Sequence, residues 1–273
     1  MLEILYCKSE VRSESSRYES SKIIENVVNN IEKIDLFPII SLKKVGFGTF
    51  NDIYRDNDIV YRVTNYQTES DEPELFIDCI RDTVINNVLY NELNINNYSE
   101  NPFLHHEIFI AKKYYNYVFV SKTKYIECSL SDYIKNVRIY CATYTERYNY
   151  MLEIIFKHLD YLYVNYKFIH GDLSYTNIRV SYNHDFFIER IYLIDLGFSR
   201  VIINGREYCT NNGELYRKTF NQKKDKCMLL YGIIKYLKDD FFIKYVYETN
   251  LYDTHEVEKQ MKNLKYIHEV IFI

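Results

Sequence analysis

The chain has 273 residues, of which 47% are hydrophobic and 26% charged, enough for one large domain or two lobes around a substantial core. This composition excludes wholesale disorder and a small disulfide-stapled fold. The net charge is −4, so no overall basic field favours nucleic acid or an anionic membrane. We therefore expect no direct binding to nucleic acid.

Cysteine spacing and the N-terminus bear on the compartment. Six cysteines are scattered without a C-x-x-C pair, so neither a zinc module nor a disulfide framework is expected. Glu3 interrupts the first apolar run, and no later stretch approaches the about 18 apolar residues of a membrane span. These features predict a protein without membrane association in a reducing compartment, the cytoplasm or nucleus. The excess of Tyr, Asn, Ile and Lys indicates an AT-rich coding genome, and a virus-infected host cell is one interpretation.

Residues 1–38 are predicted to form an N-terminal extension. A Ser/Glu/Arg-rich lead-in precedes an amphipathic helix that Pro38 is expected to break. The apolar face of this helix is predicted to comprise Ile23, Ile24, Val27, Val28, Ile31 and Ile34.

Residues 39–126 predict a first lobe of five strands and one helix. The helix is expected to begin at Pro73 and to end near Asn94. The strands are expected at 39–45, 53–54, 59–63, 107–112 and 116–121.

Residues 127–273 predict a second, mainly helical lobe. Helices are expected at 130–137, 145–165 and 224–238, and a hairpin at 177–194. The long helix has a predicted buried stripe of Tyr148, Met151, Leu152, Ile155, Phe156, Leu159 and Leu162. The β-rich and then α-rich order is typical of an α+β fold with two lobes.

Three polar residues near the middle of this second lobe suggest chemistry. Asp172 lies in His-Gly-Asp-Leu-Ser-Tyr-Thr-Asn, which ends at Asn177, and Asp195 follows the apolar strand of the predicted hairpin. A carboxylate and an amide oxygen are hard ligands that suit Mg²⁺, and a second carboxylate can orient a hydroxyl. The alternative is that Asp172 and Asn177 are turn residues and Asp195 a helix cap.

This spacing resembles the catalytic loop H-x-D-x-x-x-x-N and the D-F-G motif of the protein-kinase-like fold, with Leu196 in place of Phe. The resemblance covers about residues 40–237. It implies a bilobal α+β fold with a five-stranded antiparallel sheet and one helix in the first lobe, ATP and Mg²⁺ as cofactors, and phosphoryl transfer. Asp172, Asn177 and Asp195 are its implied catalytic residues, and Asn177 and Asp195 its metal ligands.

A glycine-bearing hairpin is the implied nucleotide-binding element. By itself, a G-x-G hairpin is more often structural than phosphate-binding. Together with the other motifs it resembles the kinase glycine-rich loop, with Asn51 in the third glycine position. The implied contacts to ATP are Gly46, Phe47, Gly48, Thr49, Asn51 and Ile53.

Arg62 stands where the third strand of the family carries a lysine, which pairs with a glutamate of the first-lobe helix. A guanidinium stays charged and can bind phosphate, but its planar fork does not reproduce the reach of an ammonium. We expect Glu92 to be its partner, ahead of Glu72 and Glu74. An exposed strand arginine and a solvated helix glutamate are the alternatives.

Further positions refine the expected activity. Asp225 is implied to bond the backbone of the catalytic loop, and 121–125 to present backbone groups to adenine. Gly171 and Ser174 replace the Arg and Lys of many kinases, and no Ala-Pro-Glu follows Gly197, so the peptide-docking platform is expected to be reduced or altered.

The H-G-D loop looks like that of small atypical Ser/Thr protein kinases, including viral kinases and those of the tRNA threonylcarbamoylation complex. We therefore expect a protein Ser/Thr kinase with a protein substrate. Two alternatives are a nucleotide- or protein-binding module without turnover, which Arg62 and Asn51 suggest, and a kinase for a small hydroxylated molecule, which Gly171 suggests. The sequence leaves the oligomeric state open.

Overall fold

The fold is mixed α+β, as predicted, and its contacts divide into two compact units. The first unit holds the described residues up to Ile126 and those from Leu196 to Cys209. The second unit holds Glu127–Asp195 and the described residues from Gln222 onward. The segment after Asp195 thus belongs to the first unit, whereas the sequence analysis placed it in the second lobe. The computed structural model describes residues 24–47, 51–65, 73–114, 116–209 and 222–249.

The elements of the described residues are numbered in chain order. The helices are 24–30 (α1), Phe37–Ile40 (α2), Pro73–Ile95 (α3), Leu130–Tyr140 (α4), Tyr144–Tyr166 (α5), Gln222–Leu237 (α6) and Asp240–Thr249 (α7). The strands are Lys33–Ile34 (β1), Lys43–Phe47 (β2), Asn51–Asp56 (β3), Ile59–Thr64 (β4), Glu107–Lys113 (β5), Asn116–Lys124 (β6), Cys128–Ser129 (β7), Ile178–Tyr182 (β8), Ile188–Leu193 (β9), Arg200–Ile203 (β10) and Arg206–Cys209 (β11).

The first unit is built on a six-stranded sheet in the order β1-β5-β6-β4-β3-β2. The sequence predicted five strands, and the additional strand is β1, which runs parallel to β5 with Lys33 opposite Ile110. The other neighbouring pairs in this sheet are antiparallel. Two residues carry no periodicity, so pattern analysis could not detect β1.

The N-terminal segment is part of the first unit, and several predictions for it were wrong. Ile34 lies in β1 and not in a helix, and a short helix, α2, occupies the predicted start of the first strand. Pro38 lies in the first turn of α2. Backbone N–H groups in the first turn have no partner within the helix, so the missing N–H of proline costs no helical hydrogen bond there. Leu36 and Ile39 are buried in one apolar cluster with strand residues Val63, Ala111, Val118 and Val120.

The two faces of the sheet differ in chemistry because side chains alternate along a strand. Val63 of β4 packs in the apolar cluster with Leu36 and Ile39, whereas its neighbour Arg62 reaches Asp82 of α3. Helix α3 therefore covers the face that carries Arg62. It starts at Pro73 as predicted and ends at Ile95.

The second unit centres on α5. All seven residues of its predicted apolar stripe are buried, which confirms that part of the sequence analysis. The predicted hairpin is also present, as β8 and β9, with β7 added at the edge next to β8. Among the described helices, none is both long enough and apolar enough to span a membrane.

Candidate functional site

The loop that carries Asp172 is held in place by a buried carboxylate. Asp225, in the first turn of α6 and 2% exposed, accepts the backbone N–H of His170 at 2.8 Å and that of Gly171 at 3.0 Å. Gly171 has a φ of +80°, a conformation that costs a residue with a side chain but not glycine. The architectural role that the resemblance implied for Asp225 is confirmed.

A second set of contacts ties this loop to the end of β9. The ring of His170 is fully buried, and its Nε2 lies 3.1 Å from the carbonyl oxygen of Ile194. The backbone carbonyl of Asn177 accepts the N–H of Ile194 at 3.0 Å, which extends the β8–β9 ladder by one pair. Asp195 is the next residue, with a left-handed φ of +61° that ends the strand. The hairpin register therefore brings residues 177 and 195 to the same end.

The side chain of Asn177 joins this end of the hairpin to Asp172. Its Nδ2 donates to the backbone carbonyl of Asp172 at 2.9 Å and to the carboxylate at 3.4 Å. The amide nitrogen therefore faces Asp172, and Oδ1 is the atom left to act as an acceptor or a ligand. The Thr176 hydroxyl makes only a long contact with Oδ1, at 3.5 Å.

Asp172 is half-buried, and its electrostatic surroundings make it more basic. Burial raises the pKa of its carboxyl above the usual range, and the nearby Asp195 carboxylate raises it further. His170 and the hydrogen bond from Asn177 act in the opposite direction without cancelling the rise. A carboxylate whose pKa is raised accepts a proton more readily, which suits a general base.

The three catalytic residues predicted from the sequence thus lie together in the second unit. Their donor set is chemically suited to Mg²⁺, because Asp195 offers carboxylate oxygens and Asn177 an amide oxygen. In the described part of the chain, no group of three or more His, Cys, Asp or Glu side chains could hold a metal ion. A magnesium ion here would have two protein ligands, and its other positions would be open to water and phosphate oxygens.

The glycine hairpin predicted to bind nucleotide is described only at its two strands. Gly46 and Phe47 lie in β2, opposite Ile53 and Asp52 of β3, and β2 is bulged between Lys44 and Gly46. Asn51 opens β3 opposite Thr64. The remaining predicted residues of this loop, Gly48 and Thr49, lie outside the described residues.

Arg62 is paired with Asp82 and not with the predicted Glu92. The Arg62 guanidinium lies 2.9 Å from Oδ2 of Asp82, and the side chains are 19% and 7% exposed. Glu92 lies ten residues further along α3, which is about 15 Å of helix rise. Instead, the Glu92 carboxylate accepts a hydrogen bond from Asn96 at 3.2 Å. Two weaker candidates, Glu72 and the side chain of Glu74, lie outside the described residues.

The second oxygen of Asp82 connects α3 to the segment that follows Asp195. Its Oδ1 accepts the backbone N–H of Leu196 at 2.9 Å. Both oxygens of this buried carboxylate are thus occupied, one by a cation and one by a backbone donor. Asp82 was not among the predicted partners of Arg62, although it is an acidic residue of the helix that follows Arg62.

A buried histidine faces the same ion pair. His106 precedes β5 and is 8% exposed, and its backbone N–H and carbonyl bond reciprocally with the side chain of Asn87, each at 2.8 Å. Burial and the Arg62 charge lower the pKa of His106 to about 4, although the Asp82 charge acts against them. His106 is therefore neutral near pH 7. No pattern in the sequence indicated that this histidine would be buried near the Arg62–Asp82 ion pair.

The predicted adenine-binding segment at 121–125 is largely a strand. Its first four residues are in β6, where they pair with β4 and β5. The N–H of Tyr125 donates to the carbonyl of Asp58 at 2.7 Å. The pairing with β5 ends at Lys122, so the binding of adenine by this segment stays a prediction.

Comparisons with known proteins add no assignment. No protein-family model matches the chain, and a search of curated proteins found no match.

Proposed function

We propose that the protein is a phosphotransferase that moves the γ-phosphate of ATP to a hydroxyl of a protein serine or threonine. The proposal is carried by the grouping of Asp172, Asn177 and Asp195 at one end of the β8–β9 hairpin. Turn residues and a helix cap have no need to converge in this way, and phosphoryl transfer needs these three groups together.

Each residue has a distinct role in the proposal. Asp172 orients the acceptor hydroxyl and takes its proton, which its raised pKa favours. Asn177 keeps Asp172 in place through its Nδ2, and its Oδ1 would be a ligand of Mg²⁺. Asp195 supplies the carboxylate ligand. Bound Mg²⁺ supplies charge neutralisation on the phosphate oxygens.

Asp225 acts on the reaction only through the loop it holds. By binding two consecutive N–H groups, it fixes the backbone on which Asp172 is mounted. Fixed positioning matters because phosphoryl transfer leaves little covalent work for the protein. Asp225 is therefore a positioning residue.

Arg62 supports a second candidate, a nucleotide-binding module without turnover. Its guanidinium is already bound to the buried Asp82, and an arginine does not present charge to phosphate as a lysine does. Asn51 adds a side chain where the glycine-rich loop of the family has none. In this alternative the protein binds ATP but transfers no phosphate.

A transfer assay tests the proposal. The full chain is incubated with Mg²⁺, ATP labelled on its γ-phosphate and protein acceptors, and incorporation is compared with Asp172→Asn and Asp195→Asn. We expect each substitution to lower the rate roughly 100-fold or more. Asp185→Asn, a 61% exposed aspartate between β8 and β9, is the matched control and should retain the rate. Equal incorporation by the wild type and Asp195→Asn would remove the proposal.

Thermal melting separates the candidates and excludes misfolding. Because the pKa of Asp172 is raised by folding, its ionised form costs stability above the ordinary pKa range. Asp172→Asn should therefore melt no lower than the wild type at pH 7, even though it is inactive. A rise in melting temperature with ATP and Mg²⁺, without transfer to any acceptor, would favour the binding module. Transfer to small hydroxylated molecules but not to proteins would indicate the small-molecule kinase.

A further inference from the structure

Two tyrosines and two lysines form a patch beside the catalytic loop in the second unit. Tyr175, three residues after Asp172, stacks on Tyr236 of α6, with ring centroids 4.9 Å apart and planes at 26°. Lys135 of α4 donates from Nζ to the Tyr236 hydroxyl at 3.4 Å, and the same atom lies 5.1 Å from the ring centroid. Lys235 is exposed beside Tyr236. These four residues, Lys135, Tyr175, Lys235 and Tyr236, are called the tyrosine–lysine patch.

The position of Tyr175 depends on a glycine one helical turn before Tyr236. A Cβ added to Gly232 would lie 3.4 Å from Cδ1 of Tyr175, at the tight limit of ordinary contact. The Tyr175 ring therefore lies directly against α6. This contact connects the catalytic loop physically to the surface that carries the lysines.

The patch is locally positive on a chain whose net charge is −4. Exposed Lys238 follows α6, and Arg138, one turn after Lys135, forms a 3.1 Å ion pair with the buried Asp239. Asp132 lies one turn before Lys135 and is bonded to Ser129 at 2.5 Å, and Asp240 is an exposed acidic residue at the start of α7.

The catalytic loop itself contributes no cation to this surface. The residues between Asp172 and Asn177 are Leu, Ser, Tyr and Thr. Positive charge beside the loop therefore comes from the two helices, through Lys135 and Lys235.

From this geometry we infer that the tyrosine–lysine patch binds an acidic segment of the protein substrate, next to the hydroxyl that Asp172 orients. The inference rests on the proposed function and names its substrate class. Tyr175 and Asp172 are three residues apart, at most about 10 Å of chain. An extended substrate covers that distance with roughly three residues, so the acidic side chains lie within about four positions of the acceptor.

The charges around the patch favour an acidic peptide over a nucleic acid. Nζ of Lys135 lies 3.4 Å from the Tyr236 hydroxyl and 5.1 Å from the ring centroid, which places it at the hydroxyl edge of the ring and not over its face. Nucleic-acid binders follow the backbone with a broad basic surface, whereas here Asp132 lies one turn before Lys135 and Asp240 follows Lys235 by five residues. The flexible ammonium groups of Lys135 and Lys235 remain available to carboxylates.

The inference is tested with three synthetic peptides that share one serine acceptor. Aspartates, alanines or lysines occupy the four positions on each side, and kcat/KM is measured for each. We expect the acidic peptide to be preferred. The double variant Lys135→Gln with Lys235→Gln should lower the acidic-to-neutral ratio of kcat/KM roughly three- to tenfold, the sum of two exposed charge pairs. Lys244→Gln, a 75% exposed lysine on α7, is the matched control and should keep the ratio. An unchanged ratio in the double variant, or a preference for the lysine peptide, overturns the inference.

A binding measurement without ATP separates this inference from the proposed function. Fluorescence anisotropy is recorded with the labelled acidic peptide and with a single-stranded RNA of equal length. Peptide binding that weakens in the double variant supports the patch even if no phosphate transfer is found, in which case only the proposed function fails. Tighter binding of the RNA, or no binding of the acidic peptide, overturns the patch even if transfer is observed.

Discussion

The carboxylate of Asp82 binds the guanidinium of Arg62 at 2.9 Å and, through its other oxygen, the backbone N–H of Leu196 at the same distance. A strand, a helix and the segment after Asp195 therefore meet at one buried aspartate. The ion pair therefore joins β4 to α3 within the first unit.

The first prediction concerns this pair. Asp82→Ala should destabilise the protein by about 3 kcal/mol, because it leaves a largely buried guanidinium and a backbone N–H without their carboxylate. Glu92→Gln, on the same helix, should change the free energy of unfolding by no more than about 0.5 kcal/mol. Urea unfolding of both variants measures the difference. A larger loss for Glu92→Gln would restore Glu92 as the important acid.

The second prediction concerns Asp225, which anchors the loop that carries Asp172. Asp225→Asn keeps the shape of the side chain but retains one acceptor oxygen for two N–H donors. We expect a loss of roughly 2 kcal/mol in the free energy of unfolding. Amide hydrogen exchange supplies a local readout, since the N–H groups of His170 and Gly171 should lose protection. If both amides remain as protected as in the wild type, Asp225 does not hold the loop.

The third prediction is a pH dependence of stability. His106 has a pKa of about 4 when folded and an ordinary value of 6.5, so between these values the unfolded state binds more protons. The contribution of neutral His106 to the free energy of unfolding should be fully present above pH 6.5. It should be lost as the pH drops toward 4, which lowers the free energy of unfolding by up to roughly 3 kcal/mol.

His106→Gln is the control for this pH dependence. It should flatten the loss, since glutamine does not titrate. Unfolding free energies of the wild type and His106→Gln at pH 7, 5.5 and 4.5 distinguish the two proteins. Identical slopes in the wild type and His106→Gln would show that the acid sensitivity has another origin.

The fourth prediction concerns α2, which lies where the sequence predicted the end of the extension and the start of the first strand. Ile39 is 5% exposed in the apolar cluster and its neighbour Ile40 is 45% exposed. Ile39→Ala should cost about 3 kcal/mol, and Ile40→Ala no more than about 0.5 kcal/mol. Thermal and urea unfolding of this matched pair test whether α2 belongs to the core. Equal, small effects would show that α2 is not part of the core.

Periodicity along the chain was sufficient for the elements whose own side chains decide their structure. The stripe of α5 was predictable because it repeats at three- and four-residue steps, and the hairpin because two apolar strands flank a polar turn. The closeness of Asn177 and Asp195 could also be predicted from the sequence, since the hairpin register alone brings residues 177 and 195 together.

The tertiary structure decided what depends on how one element packs on another. Helix α3 carries acidic residues at several positions along its axis. Only its packing against β4 decides that Asp82, and not Glu92, forms the ion pair with Arg62. The same holds for β1, whose two residues form a strand because they pair with β5. It also holds for His106, whose pKa is set by its burial and by the charges that packing places around it. Local sequence patterns determine which elements form, whereas the partner of a buried charge depends on distances between residues far apart in the chain.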